Sequence, residues 1–438
     1  MKKIVLLSLI MMTSLIMWGC SRQDPLVIWV GAEVQEFYEA KMVEYVEYYN
    51  SVNDSEFPFQ IEVRAADTGS AAATFLDDMD AGPDILTVAH DNLGRLISGA
   101  SAIQPIQNPA LLAQIEAQNP ETFLRVIKGS VGGETYTFGV PYEAQALILY
   151  YNKDFLNEDD VETWEGIWDV AKANNKRALS ITGTDGFNNS FLVLATNAET
   201  GSTSLKLYED GVLENTFGLG DDTMSVLKWG QRFFQDPNGA RQPSDSGWEV
   251  DFANEAILSV IGGAWHFRAA RASLGDNLGI AVLPQFTITE ADAYGEIQPG
   301  TVFQSGTFTD TKMFVMNRSS DKLEYLEDIL LFLSHKDVQE QSYIQNNTLP
   351  AYKNALSEFS AMQNDDISTQ LAVAQLSMFD YGIPQPFGAE ARFNVYYYQR
   401  GAPDLILAIL RDPDNAFTTD ALIFAEMERV QRIWFGER

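Results

Sequence analysis

The sequence predicts an α/β protein built as two lobes, and three observations predict it. Its 438 residues are too many for a single hydrophobic core, because chains beyond about 250–300 residues divide into separate cores. Strand-like apolar runs alternate with segments of helical periodicity, the pattern of helices layered on mostly parallel sheets. No repeat with a period of about 20–50 residues interrupts that alternation. No low-complexity linker does either, so short ordered crossovers are expected to join the lobes.

The chain opens with Lys2 and Lys3. An apolar or small-residue stretch runs from Ile4 to Trp18, followed by Gly19 and Cys20, the only cysteine. A charged start, an apolar core of about 15 residues and a small residue before the cut make an export signal. That core is shorter than the roughly 20 residues that span a bilayer. The junction resembles a bacterial lipoprotein signal, with Met17 and Trp18 where the usual box has leucine and a small residue. The resemblance implies that residues 1–19 are removed and that Cys20 carries an acyl anchor. Each buried methylene of such an anchor contributes about 0.8 kcal/mol.

Leu26 to Val30 reads as a buried strand, and Val34, Tyr38, Met42, Tyr45 and Tyr49 then fall on one helical face, with Glu36, Glu39 and Glu47 at polar positions. Ile61, Val63 and Ala65 alternate as a strand does. Ile85 to Val88, Leu147 to Tyr151, Leu278 to Leu283 and Met313 to Met316 read as further strands. Leu323, Leu326, Leu330 and Leu333 make an amphipathic helix. The C-terminal region reads as helical, broken at Pro384 and Pro386.

The formal charge is −32, and −34 once the leader with its two lysines is removed. Such a surface repels phosphate backbones, which excludes nucleic acid as a partner. A hydrophobic content of 46% with 12% aromatics excludes disorder, so the acidity is the solvated surface of an exported globular protein. With one cysteine, no disulfide forms within the chain.

Little catalytic machinery is present. His90, His266 and His335 are far apart and have no metal-ligand spacing. Cys20 is committed to the N-terminus, and no phosphate-cradling loop with a following Lys-Ser/Thr occurs. Gly262 and Gly263 beside Trp265 are a weak signal alone. No cofactor and no metal are expected. With 61 acids, a glycosidase-like pair of carboxylates remains an alternative, since its separation of about 5–9 Å is a property of the fold.

Six segments stand out together: LVIWV at Leu26–Val30, GPDILTVAHD at Gly82–Asp91, VPYEAQALILYYNKD at Val140–Asp154, with Thr163-Trp164-Glu165 after it, GGAWH at Gly262–His266 and VLPQF at Val282–Phe286. In order and spacing they resemble the extracellular sugar-binding proteins of ABC importers, nearest to the maltose/maltodextrin-binding branch. The likeness runs from Leu26 to the C-terminus. It implies a two-lobed periplasmic-binding-protein-like clamp with discontinuous lobes, residues 20–143 with 311–362 and residues 144–310 with 363–438. By position it assigns sugar contacts to Glu33, Asp91, Gln145, Asp185, Phe187, Trp265 and Phe393. Val88, Asn92, Gln145 and Val34 depart from that branch, so the resemblance supports the ligand class more than maltose itself.

Elementary chemistry points to the same residues. Carboxylates and amides offer planar acceptors to sugar hydroxyls, with charge-assisted bonds the stronger, and an aromatic face covers the C–H side of a sugar ring. Each residue also has a plainer reading. Trp265 and Phe393 suit core packing, Asp91 suits a helix N-cap, and Asp185 suits a turn before Gly186. Tyr151, Asn152, Lys153 and Asp154 read as framework. The expectation is an exported, lipid-anchored monomer that captures an oligosaccharide and hands it to ABC permease subunits without covalent chemistry. The alternatives are an exported glycoside hydrolase and a surface lipoprotein outside transport.

Overall fold

The computed structural model describes residues 24–97, 101–181, 188, 190–204, 208–209, 212–213, 220–241, 247–361, 366–384 and 402–434. Cys20 and the leader lie outside them.

The first sheet runs Ile61–Ala65, Leu26–Val30, Ile85–Ala89, then Thr307–Asn317, with Val140–Gln145 on the far side of that long strand. The first three strands are mutually parallel, and the long strand is antiparallel to Ile85–Ala89 and to Val140–Gln145. The second sheet has the order Ala240–Arg241, Arg177–Ile181, Ile257–Gly262, Ile148–Asn152, Leu278–Ala281. Its first three strands are parallel, Ile148–Asn152 runs against them, and Leu278–Ala281, antiparallel to Ile148–Asn152, points the same way as the first three. Both sheets are therefore mixed, where the sequence suggested mostly parallel ones. The crossovers explain this: Ile148–Asn152 follows Gln145 almost at once, so it enters the second sheet from the edge at which the parallel strands leave.

Local sequence accounts for the elements beside these sheets. The Gln35–Val52 helix buries Tyr38, Met42 and Tyr45 against the first sheet, as their spacing predicts. The Leu323–Leu333 helix buries Leu326, Leu330 and Leu333. The Trp164–Ala173 helix is capped by Thr163, whose hydroxyl accepts from the Gly166 N–H at 3.1 Å. Trp164 is fully buried beside Phe191 and Phe233, and its indole N–H donates to Ser305 Oγ at 2.9 Å.

Two large cores result. One joins residues of the N-terminal strands with Met313–Met316 and the Leu323–Leu333 helix. The other gathers Ala146 through Ile288 with Phe308, Leu371 and the C-terminal helices. A small third cluster gathers Phe123, Ala144, Tyr343, Leu349, Tyr352 and Phe359. The chain passes from one core to the other at Gln145–Ile148, again within Thr307–Asn317, and a third time between Val338 and Leu371, by way of the small cluster. The passages are tied together: Thr307 Oγ1 accepts from the Leu147 N–H at 3.0 Å, and Gly382–Pro384 pairs with Thr307–Thr309. Among the described residues no helix is long and apolar enough to cross a membrane.

Candidate ligand-binding cleft

Strand direction decides where a ligand can sit. In the first sheet Leu26–Val30, Ile85–Ala89 and Val140–Gln145 point the same way. The loops at their carboxyl ends carry Glu33 and Asp91, and Gln145 is the last residue of its strand. In the second sheet Trp265 stands just beyond the carboxyl end of Ile257–Gly262. Gly262 pairs with Ile148, three residues after Gln145, so the carboxyl edges of the two sheets meet at the crossover. Open α/β sheets bind ligands at such carboxyl ends.

Glu33 and Gln145 are brought into one network by residues that sequence reasoning did not single out. Lys312, buried on the long strand, places its ammonium 3.1 Å from Glu33 Oε1 and 3.2 Å from Glu143 Oε2. Gln145 donates from Nε2 to Glu143 Oε1 at 2.9 Å, so its side chain is engaged inside the network. Burial opposes ionisation of Glu33, but Lys312 and a backbone hydrogen bond hold its carboxyl below the usual range. For Glu143 burial prevails over Lys312 and pushes the carboxyl up. Burial pulls the Lys312 ammonium down, and Glu143 and Glu33 together more than offset it.

Asp91 belongs to a second group on the same edge. His90 Nδ1 is paired with the Asp310 carboxylate, and Asp310 lies opposite Gln145 in the strand register. Asn92 donates to Asp91 Oδ1 at 2.7 Å, and Arg95 donates to Asn92. Burial, reinforced by Asp310, pushes the Asp91 carboxyl up to about 7, against the pull of His90 and Arg95. Asp91 sits in a short 3₁₀ turn, His90–Asn92, whose N-cap is Ala89, so it is not the helix cap that its sequence also suited.

Trp265 stands on the opposite edge and is 38% exposed. Its ring folds back over Gly263, whose carbonyl accepts from the buried Tyr150 hydroxyl at 2.8 Å. A part-exposed indole at a strand's carboxyl end suits a ring with one C–H face and many hydroxyls. Asp185, Phe187 and Phe393 lie outside the described residues. Among the described residues no group of acids, histidines and cysteines has metal-binding geometry.

Glu143 is discernible in the sequence as the acid two residues before Gln145. His90 lies within the Gly82–Asp91 segment, but its pairing with Asp310 and the role of Lys312 carry no sequence signal, because each partner comes from far away in the chain.

Two open α/β lobes, joined by crossovers with their strand ends meeting at the junction, define a clamp of the periplasmic-binding-protein type. The chain belongs to the bacterial extracellular solute-binding protein family, which residues 44–369 match. A maltooligosaccharide ABC transporter solute-binding lipoprotein of Streptococcus pneumoniae (strain ATCC BAA-255 / R6) is 22% identical over 386 residues, 84% of this chain and 85% of the relative. A galactooligosaccharide-binding protein of Bacillus subtilis (strain 168) is 22% identical over 324 residues, 69% of this chain and 68% of that one. Among solved structures, the ligand-free maltodextrin binding protein MalE1 from L. casei BL23 matches with a TM-score of 0.69 at 18% identity, over 94% of this chain and 98% of its own. That likeness establishes the fold.

Proposed function

We propose that this protein is a lipid-anchored carbohydrate-binding protein that captures an oligosaccharide between its lobes and delivers it to an ABC permease. The observation that carries the reading is the meeting of two unlike edges at the crossover: Glu33, Asp91 and Gln145 on one, Trp265 on the other. Hydroxyls would be held from the first lobe and a ring face from the second. Relatives named for maltooligosaccharide and galactooligosaccharide binding along most of the chain support the sugar class.

The lobes in this reading are residues 20–143 with 311–362 and residues 144–310 with 363–438, and Asp185, Phe187 and Phe393 complete the second face. The mechanism is binding and closure, with no catalytic residue and no cofactor. Ligand touching both lobes stabilises the closed state, since only that state makes both sets of contacts. The monomer, tethered through Cys20, would present the closed form to the permease.

A thermal-shift screen over neutral oligosaccharides tests the proposal. A ligand that binds only the native state at about a hundred times its Kd adds about 2.7 kcal/mol, so one or more sugars should raise the melting point by several degrees. A flat response across maltooligosaccharides, galactooligosaccharides and other neutral sugars would reject the carbohydrate reading.

A further inference from the structure

The Glu33–Lys312–Glu143 network has a polarity that a purely structural ion pair lacks. Glu143 is buried and already engaged with Gln145, whereas the Glu33 side chain is 40% exposed. The network therefore runs from the protein interior to the cleft edge and ends there in a carboxylate whose charge Lys312 sets. Gly31 makes this arrangement possible, because a Cβ at that position would stand 2.4 Å from Glu33 Oε1. Without it the carboxylate folds back towards the ammonium.

We propose that Lys312 determines the charge selectivity of the cleft by compensating the Glu33 carboxylate at its edge, so that uncharged sugars are preferred over amino sugars and uronic acids. The inference rests on the carbohydrate reading above. A sugar hydroxyl can donate to the second oxygen of Glu33 without disturbing the ion pair. A ligand ammonium at that point must compete with Lys312 for Glu33 and meets the Lys312 charge behind it. A ligand carboxylate meets Glu33 first, with its charge in front of Lys312. Lys312 is thus a positioning residue, acting on ligand through Glu33.

Two variants should shift selectivity in opposite directions. Lys312→Met leaves Glu33 as an unpaired carboxylate, so preference should move towards a cationic ligand. Glu33→Gln leaves Lys312 open to the cleft beside Glu143 alone, so preference should move towards an anionic one. Removing one partner of a buried pair is strongly destabilising, and Lys312→Met can fail to fold for that reason. Glu33→Gln keeps the buried Lys312–Glu143 contact and carries the test by itself.

The probes are a neutral trisaccharide taken from the thermal-shift screen, the trimer of glucosamine and trigalacturonic acid. Calorimetry reads the three dissociation constants, and a melting curve confirms folding. The glucosamine-to-neutral affinity ratio should rise about tenfold in Lys312→Met, and the galacturonate-to-neutral ratio about tenfold in Glu33→Gln. Lys312→Arg should restore the parent order. A structural role would weaken all three ligands by one factor, and that result in a folded Glu33→Gln protein overturns the inference while leaving the carbohydrate reading intact. If the parent protein binds no sugar at all, the carbohydrate reading fails first and the inference falls with it.

Discussion

Gly263→Ala separates the Trp265 ring from the rest of the fold with one methyl group. An ideal Cβ at position 263 would lie 2.0 Å from Cζ3 of Trp265, 2.2 Å from Cη2 and 2.5 Å from Cε3. Real Cβ contacts do not come that close, so the ring must swing away. The backbone there is extended, with φ −93° and ψ −175°, a conformation alanine adopts without strain. The displaced ring is already 38% exposed and moves into solvent, so the stability cost should stay within about 1 kcal/mol, the low end of overpacking. Ligand binding is the sensitive quantity. Stacking on an aromatic face contributes about 0.5–1.5 kcal/mol beyond the area it covers, which is roughly a two- to thirteenfold loss in affinity. Trp265→Ala should lose at least as much. Titration calorimetry with the best sugar from the screen, beside melting curves, reads both numbers. Unchanged affinity with a normal melt in both variants would refute the placement of the sugar ring on Trp265.

Two further outcomes rest on the fold and one on the N-terminal sequence. Asp91 has a folded-state pKa of about 7, above the ordinary carboxylate value of about 3.9, so its contribution to stability is fully present below about pH 4 and is lost as pH rises through 7. Asp91→Asn should therefore melt above the parent at pH 8, with the gap narrowing by pH 5; a gap of the same size at both pH values contradicts the buried acid. Trp164→Phe removes the indole N–H donated to Ser305 and should cost about 1–3 kcal/mol in denaturant unfolding, with sugar affinity unchanged; full stability would show that the bond is dispensable. Cys20→Ser should yield protein that is released or left unprocessed, and intact-mass measurement of the parent should find an acylated N-terminus at Cys20; an unmodified chain starting elsewhere would sink the anchor.

The parts of the fold that were legible in the sequence are those governed by local periodicity. The stripe of Tyr38, Met42 and Tyr45 and the leucine spacing of 323–333 specify their helices, because a buried helical face repeats within the element itself. The long Thr307–Asn317 strand was legible only at Met313–Met316. Its first half, Thr-Phe-Thr-Asp-Thr-Lys, reads as polar, yet every residue is buried because strands pack on both sides of it. That half carries Asp310 and Lys312. Lys312 finds Glu33 from 279 positions away and Asp310 finds His90 from 220, separations at which a single sequence holds no pairing signal. Glu33, Asp91 and Trp265, which the resemblance singled out, lie just past strand ends. Lys312 and Asp310, which act on Glu33 and Asp91, come from the crossover strand Thr307–Asn317, and only the folded chain brings them together.

The two lobes are expected to close on an oligosaccharide. Small-angle X-ray scattering on the full mature chain tests it most directly, with and without a saturating concentration of the sugar that gives the largest thermal shift. Closure predicts a smaller radius of gyration and a shorter maximum dimension in the bound state, reversed when the sugar is dialysed away. Superimposable scattering curves at a concentration where calorimetry demonstrates full occupancy would contradict the clamp.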